Sequence, residues 1–431
     1  MKENVIVVGP AFSQSGYGEH CRFVLRALLS RPDLWEVYLK PINWGNTSWL
    51  LPSDSDRPWI DMLVRKTVAY HQGGGSFDVS VQVTIPNEWQ KYAPRNLGVT
   101  AGIETNHVAP QWIAKSQEVD RIVTISEHSR DAFLNTMYPG LEHDESGAAT
   151  GESHEYRCTT PIDIVHYPVR EYEAAEVPIT LDYDFNYLAV AQWGPRKNLE
   201  KTIVWWMEEF KDEEVGLIVK TNLQKTSLID RYHAKKRLEH LIAQEAPGDR
   251  KCKVYLLHGN MTPQEMTGLY RHPQVKCLIS LSHGEGFGLP LFEAAYNELP
   301  IIAPKWSGHL DFLVAPLQTK KKGKKVVKQK TCFLGVDYDL NAIAPEVVWE
   351  GVLHQGTMWC YPRKDSYQQQ LRAFYKNPTR YESRAKKLNT WIRDAFHVDK
   401  QYHKMCKSLS GLLRPVDKGL QNQYAKVVEY D

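Results

Sequence analysis

Short apolar runs that empty into turn residues recur along the whole chain, each followed by residues whose apolar positions repeat at helical spacing. In the first part, residues 5–9, 77–85, 97–103 and 122–126 read as strands; in the second, 185–192, 215–221, 254–259, 277–281 and 300–304 do. Phe23, Val24, Ala27 and Leu28 mark one face of the first helix, and 110–118 and 127–136 carry two more. Strand–helix alternation predicts an α/β fold with parallel sheets, and two sets of it predict two Rossmann-like, doubly wound domains. The expected domains are 1–175, 176–395 and a C-terminal helical segment, 396–431. Residues 171–184, charged and proline-containing, read as the linker. Gly, Glu, Ser and Thr crowd 139–160, which reads as a flexible surface insertion. Residues 345–414 look mostly helical, with an amphipathic helix near 398–413.

One stretch concentrates the chemistry. The strand at 277–281 runs into His283-Gly284-Glu285-Gly286-Phe287-Gly288, where three glycines permit tight turning and close approach of a ligand. Leu289-Pro290 then opens a helix, since proline is tolerated where its missing N–H costs nothing. A strand, a glycine turn and a helix N-terminus together make an anion site. Glu285 in the turn and Glu293 in the helix are carboxylates able to accept hydrogen bonds from the vicinal hydroxyls of a ribose or sugar. On spacing alone, an equally good reading is a solvated Glu285 and a Glu293 that merely complements the helix N-terminus.

Other strand ends carry related features. Gly16 and Gly18 lie in a turn into the first helix, with backbone N–H groups open to phosphate. Arg196 and Lys197 stand together at a strand-to-helix turn, where cations oppose the helix dipole unless an anion binds, so a diphosphate suits them. Glu104 and His107 follow another strand, and Gly259-Asn260 and Gly308-His309 form two further turns.

The run from Ser280 through EGFGLPLFEA resembles the Glu-x7-Glu signature of the GT-B retaining glycosyltransferases of family 4, and a weaker likeness covers most of the chain. The resemblance implies that Glu285 contacts a donor sugar and Glu293 the ribose of a sugar nucleotide, beside Gly286, Phe287, Gly288 and Leu289. It implies that Gly16, Gly18, Gly308 and His309 face the donor diphosphate and that Gly259 and Asn260 lie along the nucleobase. Lys197 stands at the family's lysine position, whereas Gln192 stands where arginine is usual, leaving Arg196 to compensate. Glu104 and His107 fall in the acceptor-facing loop, and the last helix is expected to return to the first domain. The implied reaction is metal-independent, front-face transfer from a nucleotide sugar to an acceptor hydroxyl. It needs no cofactor, and UDP or GDP leaves. A DNA-modifying glycosyltransferase acting on hydroxylated bases and a non-catalytic sugar-nucleotide-binding protein are the alternatives.

Composition narrows the partners. The 431 residues carry 53 basic and 51 acidic side chains, a net charge of +2, so no global field calls for a polyanion. Lysine is nonetheless concentrated between Lys320 and Lys330, seven in eleven residues, a run that reads as a solvated loop or hairpin or as a polyanion contact. No apolar run approaches the ~20 residues of a membrane span, and the first residues lack the pattern of a signal peptide. Seven scattered cysteines without a CxxC pair suit reduced thiols and a cytoplasmic setting. The acceptor, whether glycan, small molecule or DNA, is open at this level.

Overall fold

The computed structural model describes residues 2–143, 149–321 and 324–413; residues 144–148, Lys322 and 414–431 of the expected C-terminal segment lie outside it. The first half contains β1 (Glu3–Gly9), α1 (Gly16–Leu29), β2 (Trp35–Pro41), α2 (Arg57–Gln72), β3 (Val79–Val83), β4 (Arg95–Val99), α3 (Pro110–Ser116), β5 (Arg121–Thr124), α4 (Glu127–Leu134), β6 (Met137–His143), β7 (Ala149–Arg157) and β8 (Ile162–Ile164). Its sheet runs β2-β1-β3-β4-β5-β8, parallel throughout. All five residues of β3 are buried, as expected of a parallel strand covered by helices on both faces.

The second half begins with β9 (Asn186–Val190), α5 (Leu199–Glu209), β10 (Gly216–Lys220), α6 (Leu228–Glu245), β11 (Lys253–Leu257), α7 (Pro263–Tyr270), β12 (Val275–Ile279), α8 (Leu289–Tyr296), β13 (Ile301–Pro304) and α9 (Leu310–Leu313). It continues through β14 (Val314–Lys321), β15 (Lys324–Thr331), β16 (Leu334–Val336), β17 (Tyr338–Ala342), β18 (Met358–Pro362), α10 (Lys364–Lys376), α11 (Pro378–Ala395) and α12 (Val398–Leu413). The second parallel sheet has the order β11-β10-β9-β12-β13-β16.

Two local expectations change and one is met. Within 139–160, the described residues of β6 and β7 pair as an antiparallel ribbon. The lysine run lies on a second ribbon, β14 with β15, which is the hairpin expected, and its described lysines, Lys328 and Lys330, do not line the cleft between the halves. In the expected helical stretch, residues 345–347 form only a 3-10 turn, β18 returns to pair with β17, and α-helix starts only at Lys364. The strand β2 carries no distinctive turn signal and was not expected.

The last helix docks on the first half. Met405, Cys406 and Leu409 are buried, the Cys406 thiol donates to the Ala27 carbonyl at 3.2 Å, and Tyr402 meets Phe23 at 6.0 Å. Its apolar stripe therefore covers α1 and joins the core of the first sheet. Met405→Ala should cost about 2–5 kcal/mol in a denaturant titration, as for other buried truncations. Exposed Lys404→Ala should stay within about 0.5 kcal/mol. Equal effects would mean that α12 is not docked.

Candidate active site

Each sheet reverses its strand order once, between β1 and β3 in the first half and between β9 and β12 in the second. Loops leaving the carboxyl ends of strands at such a reversal diverge and leave a crevice. Here the two sets of loops face each other and enclose a cleft of about 1040 Å³. Gly16, Glu104 and Arg170 line it from one side; Arg196, Lys197, Glu285 and Glu293 line it from the other.

The turn after β9 is set by Asn198, which adopts a left-handed conformation (φ 50°, ψ 38°). Its side-chain amide donates to the Leu281 carbonyl at 3.1 Å, and its own carbonyl accepts from Thr202 Oγ1 at 2.8 Å. These bonds hold Arg196 and Lys197 over the loop that follows β12. That loop is gripped in turn: the Glu285 N–H donates to Ser307 Oγ at 2.9 Å, and the Gly308 N–H donates to the Glu285 carbonyl at 2.9 Å. Ser307 sits at φ 85°, a strained position for a residue with a side chain, of the kind that surrounding contacts must enforce.

The carboxylate of Glu285 is thereby fixed between two cations. Lys197 Nζ donates to Oε1 at 2.6 Å and Arg196 to Oε2 at 3.3 Å. Arg196 also donates to the Gly284 carbonyl at 2.7 Å and pairs with Glu104 across the cleft at 3.2 Å. Burial alone would raise the Glu285 carboxyl, but Lys197 and Arg196 hold it at about 2. Burial and the neighbouring Arg196 lower the Lys197 ammonium. A chain of alternating charge, Lys197–Glu285–Arg196–Glu104, thus joins the halves.

The glycines of this loop have a structural cause that the sequence did not show. A Cβ on Gly284 would stand 2.1 Å from the Glu104 carbonyl oxygen, one on Gly286 2.2 Å from that of Ala101, and one on Gly308 1.9 Å from that of Gly286. Gly284 and Gly286 thus let the backbones of the two halves touch, and Gly308 lets its own turn close on Gly286. Gly288 differs: at φ 92° it starts α8 without a side-chain cap, so the first N–H groups of that helix stay available at the cleft. Farther along α8, Tyr270 donates its hydroxyl to Glu293 Oε2 at 2.9 Å, and burial pushes the Glu293 carboxyl up to about 7.

The remaining expected residues divide. Gly16, Gly259, Asn260, Phe287, Gly288 and Leu289 line the cleft, although the Phe287 ring is itself core, packed on Phe292 and Phe312. Gly18, His107, Gly308 and His309 do not line it. Gly18 serves the tight turn at Ser13, where a Cβ would lie 1.9 Å from a carbonyl oxygen. His309 is buried with Nε2 2.7 Å from the Pro304 carbonyl, and it supports Ser307 at 3.4 Å. The loop of His107 is a contact between halves, because the Met358 N–H donates to Asn106 Oδ1 at 2.7 Å.

Lys220 and Arg170 were missed. Lys220 ends the apolar strand GLIVK, a visible signal, and donates to the Gly259 carbonyl at 2.6 Å. Arg170 has no such signal; it pairs with Glu19, which Arg22 and Arg26 also contact. The Gln192 amide donates to the Leu223 carbonyl at 2.8 Å. The sequence holds three Asp-x-Asp tripeptides, at 54–56, 182–184 and 337–339, and each has an aspartate paired with a cation: Arg26 with Asp56, Lys253 with Asp182, Lys305 with Asp337 and Arg363 with Asp339.

Solved structures resemble this architecture over nearly its full length. Sucrose-phosphate synthase from Thermosynechococcus elongatus aligns with a TM-score of 0.60 at 13% identity, over 96% of this chain and 99% of that one. HepE of Anabaena, solved with UDP and glucose, gives 0.55 at 12% identity, over 95% and 100%. WaaB, a lipopolysaccharide outer core galactosyltransferase solved in apo form, gives 0.53 at 13%, over 95% and 99%. The chain has the GT-B fold. No protein-family model and no curated protein sequence matches it.

Glu285→Gln should destabilise the chain by about 1–3 kcal/mol, because two half-buried cations lose a charged hydrogen-bond partner. A carboxyl held below its ordinary 4.5 contributes stability above that pH and loses it as pH falls towards 2. The variant's stability should therefore vary less between pH 4.5 and 2 than the parent's, as read by thermal unfolding. Parallel curves for the two proteins would remove the ion pair from the account.

Proposed function

We propose that this chain is a retaining glycosyltransferase that moves a sugar from a UDP- or GDP-sugar to an acceptor hydroxyl. The observation that carries the reading is the placement of Arg196, Lys197 and the uncapped start of α8 around Glu285, in a cleft large enough for a nucleotide sugar. Glycosyl transfer from a nucleoside diphosphate leaves negative charge on the departing phosphate, and preorganised cations and N–H groups stabilise it where it forms. Lys197 and Arg196 have that role here, with Lys220 a third cation on the same wall. Their charge and the helix N-terminus suit a metal-independent reaction. HepE, which shares the fold, has been solved with UDP-glucose as well as with UDP and glucose.

In the proposed reaction the bond from the anomeric carbon to the diphosphate oxygen breaks while the acceptor oxygen bonds the same face. The acceptor proton passes to the departing phosphate, so no side chain need be a strong base. Glu285 orients the sugar and, at about 2, stays ionised throughout the neutral range. Glu293 receives the ribose hydroxyls, as its place beside Tyr270 at the cleft wall allows. Gln192 favours one other reading, a sugar-nucleotide-binding protein without turnover, because its amide adds no cation to the site.

Release of free nucleotide from UDP-, GDP- and ADP-hexoses separates the two readings. Lys197→Ala should lower turnover by about 100-fold or more, since its interaction strengthens in the transition state. Full turnover in that variant, with only binding weakened, would remove its catalytic role.

Glu293→Gln should weaken donor binding by about 1–3 kcal/mol, the cost of a charge-assisted hydrogen bond. Ribose hydroxyls donate best to the ionised carboxylate, and its pKa of about 7 places that form above neutrality. Donor affinity should thus rise from pH 6 to pH 8 in the parent and stay flat in the variant. A pH-dependent variant would assign the titration to another group.

A further inference from the structure

The proposed donor contacts use one part of the cleft. The rest is built differently, and the volume of about 1040 Å³ is at the upper end of the ~300–1,000 Å³ typical of a single small-molecule site. Tyr17, Trp44, Glu88 and Glu104 line it from the first half and Trp349 from the second. Trp44 packs on Tyr17 with ring centroids 4.3 Å apart, and the Tyr17 hydroxyl bonds Thr100 Oγ1 at 2.8 Å, which fixes the pair. Glu88 and Glu104 line the same cleft as that aromatic pair. Asn87, next to Glu88, donates to the Gly351 carbonyl at 2.8 Å and so ties the loop of Trp349 to the same place.

Two features of this group lack a structural cause. Trp349 is 57% exposed and meets no other aromatic ring among the described residues. Glu88 is exposed at the cleft and makes no ion pair or side-chain hydrogen bond among the described residues, whereas Glu104 is paired with Arg196. An indole left open beside an open carboxylate, in a cleft read as a glycosyl-transfer site, suits a carbohydrate. The C–H face of a pyranose is apolar and weakly positive and stacks on the negative face of an indole, while its hydroxyls donate to carboxylate oxygens.

We infer that this end of the cleft is an acceptor subsite for an uncharged carbohydrate, whose ring stacks on Trp349 and Trp44 and whose hydroxyls bond Glu88 and Glu104. The inference rests on the glycosyl-transfer reading above and names its acceptor class. It also disfavours a polyanion: phosphates brought to this end would meet Glu88, which has no ion-pair partner among the described residues. DNA is therefore the wrong acceptor for this surface.

Saturation-transfer NMR on the chain loaded with UDP or GDP tests this. The probes are methyl α-hexopyranosides and maltose, against glucose 6-phosphate and a duplex containing hydroxymethylated cytosine. The neutral sugars should show transfer and the two anionic probes should not. Trp349→Ala should weaken neutral-sugar binding by about tenfold or more, a loss of about 1.4 kcal/mol at least. Trp349→Phe should restore most of it, and nucleotide affinity should be the same in all three proteins. Binding of the duplex or the phosphosugar in preference to neutral sugars, or equal sugar affinity in Trp349→Ala, would overturn the subsite while leaving nucleotide binding intact. Trp349-dependent sugar binding in a chain that takes up no nucleotide would instead support the sugar site and overturn the transfer reading.

Discussion

A carboxylate withdrawn from water between a lysine and an arginine is the constraint around which this protein is arranged. Taking such charges out of solvent costs several kcal/mol per ion, and their mutual attraction rarely returns more than that. Replacing Glu285, Lys197 and Arg196 by apolar residues would be a simpler route to a stable loop. The chain instead holds them with a left-handed Asn198, a positive-φ Ser307 and hydrogen bonds to both backbone groups of Glu285. Local strain and buried charge concentrated at one cleft are what a site built for a charged ligand requires.

The fold supplies the rest. Both sheets point the carboxyl ends of their strands at the same space, and the halves approach closely enough for carbonyl oxygens of Ala101 and Glu104 to occupy the room left by Gly286 and Gly284. The Arg196–Glu104 pair crosses at that contact, so entry of a diphosphate must compete with Glu285 and Glu104 for the same two cations. Electrostatics and the seam between the halves are therefore coupled. The return of α12 to α1 adds a second fastening remote from the chemistry.

Much of this was legible in the sequence. Apolar runs ending in turns marked nearly every strand of both parallel sheets, and the glycine-rich loop with Glu285, like the Arg196–Lys197 turn, stood out as polar residues at strand ends. Partnerships were not legible, since Glu104 and Arg196 are 92 positions apart and nothing local pairs them. For the same reason the backbone that Gly284, Gly286 and Gly308 make room for left no mark in the sequence. The stretch 139–160 looked unstructured because Gly, Ser and Glu disfavour strands, yet β6 and β7 pair through backbone bonds that composition does not record. Residues 358–362 were read as part of a helical stretch because their partner in pairing, β17, lies outside that stretch and leaves no local signal.

The central claim is that the cations beside Glu285 are kept for a nucleoside diphosphate. Calorimetric titration of the purified chain with UDP and with GDP tests it without need of a sugar or an acceptor. The account predicts one saturable site per chain for one of the two nucleotides, with affinity that falls as salt rises and that is sharply reduced in Lys197→Ala. Absence of binding by both, or binding of equal strength in the Lys197→Ala chain, would contradict it.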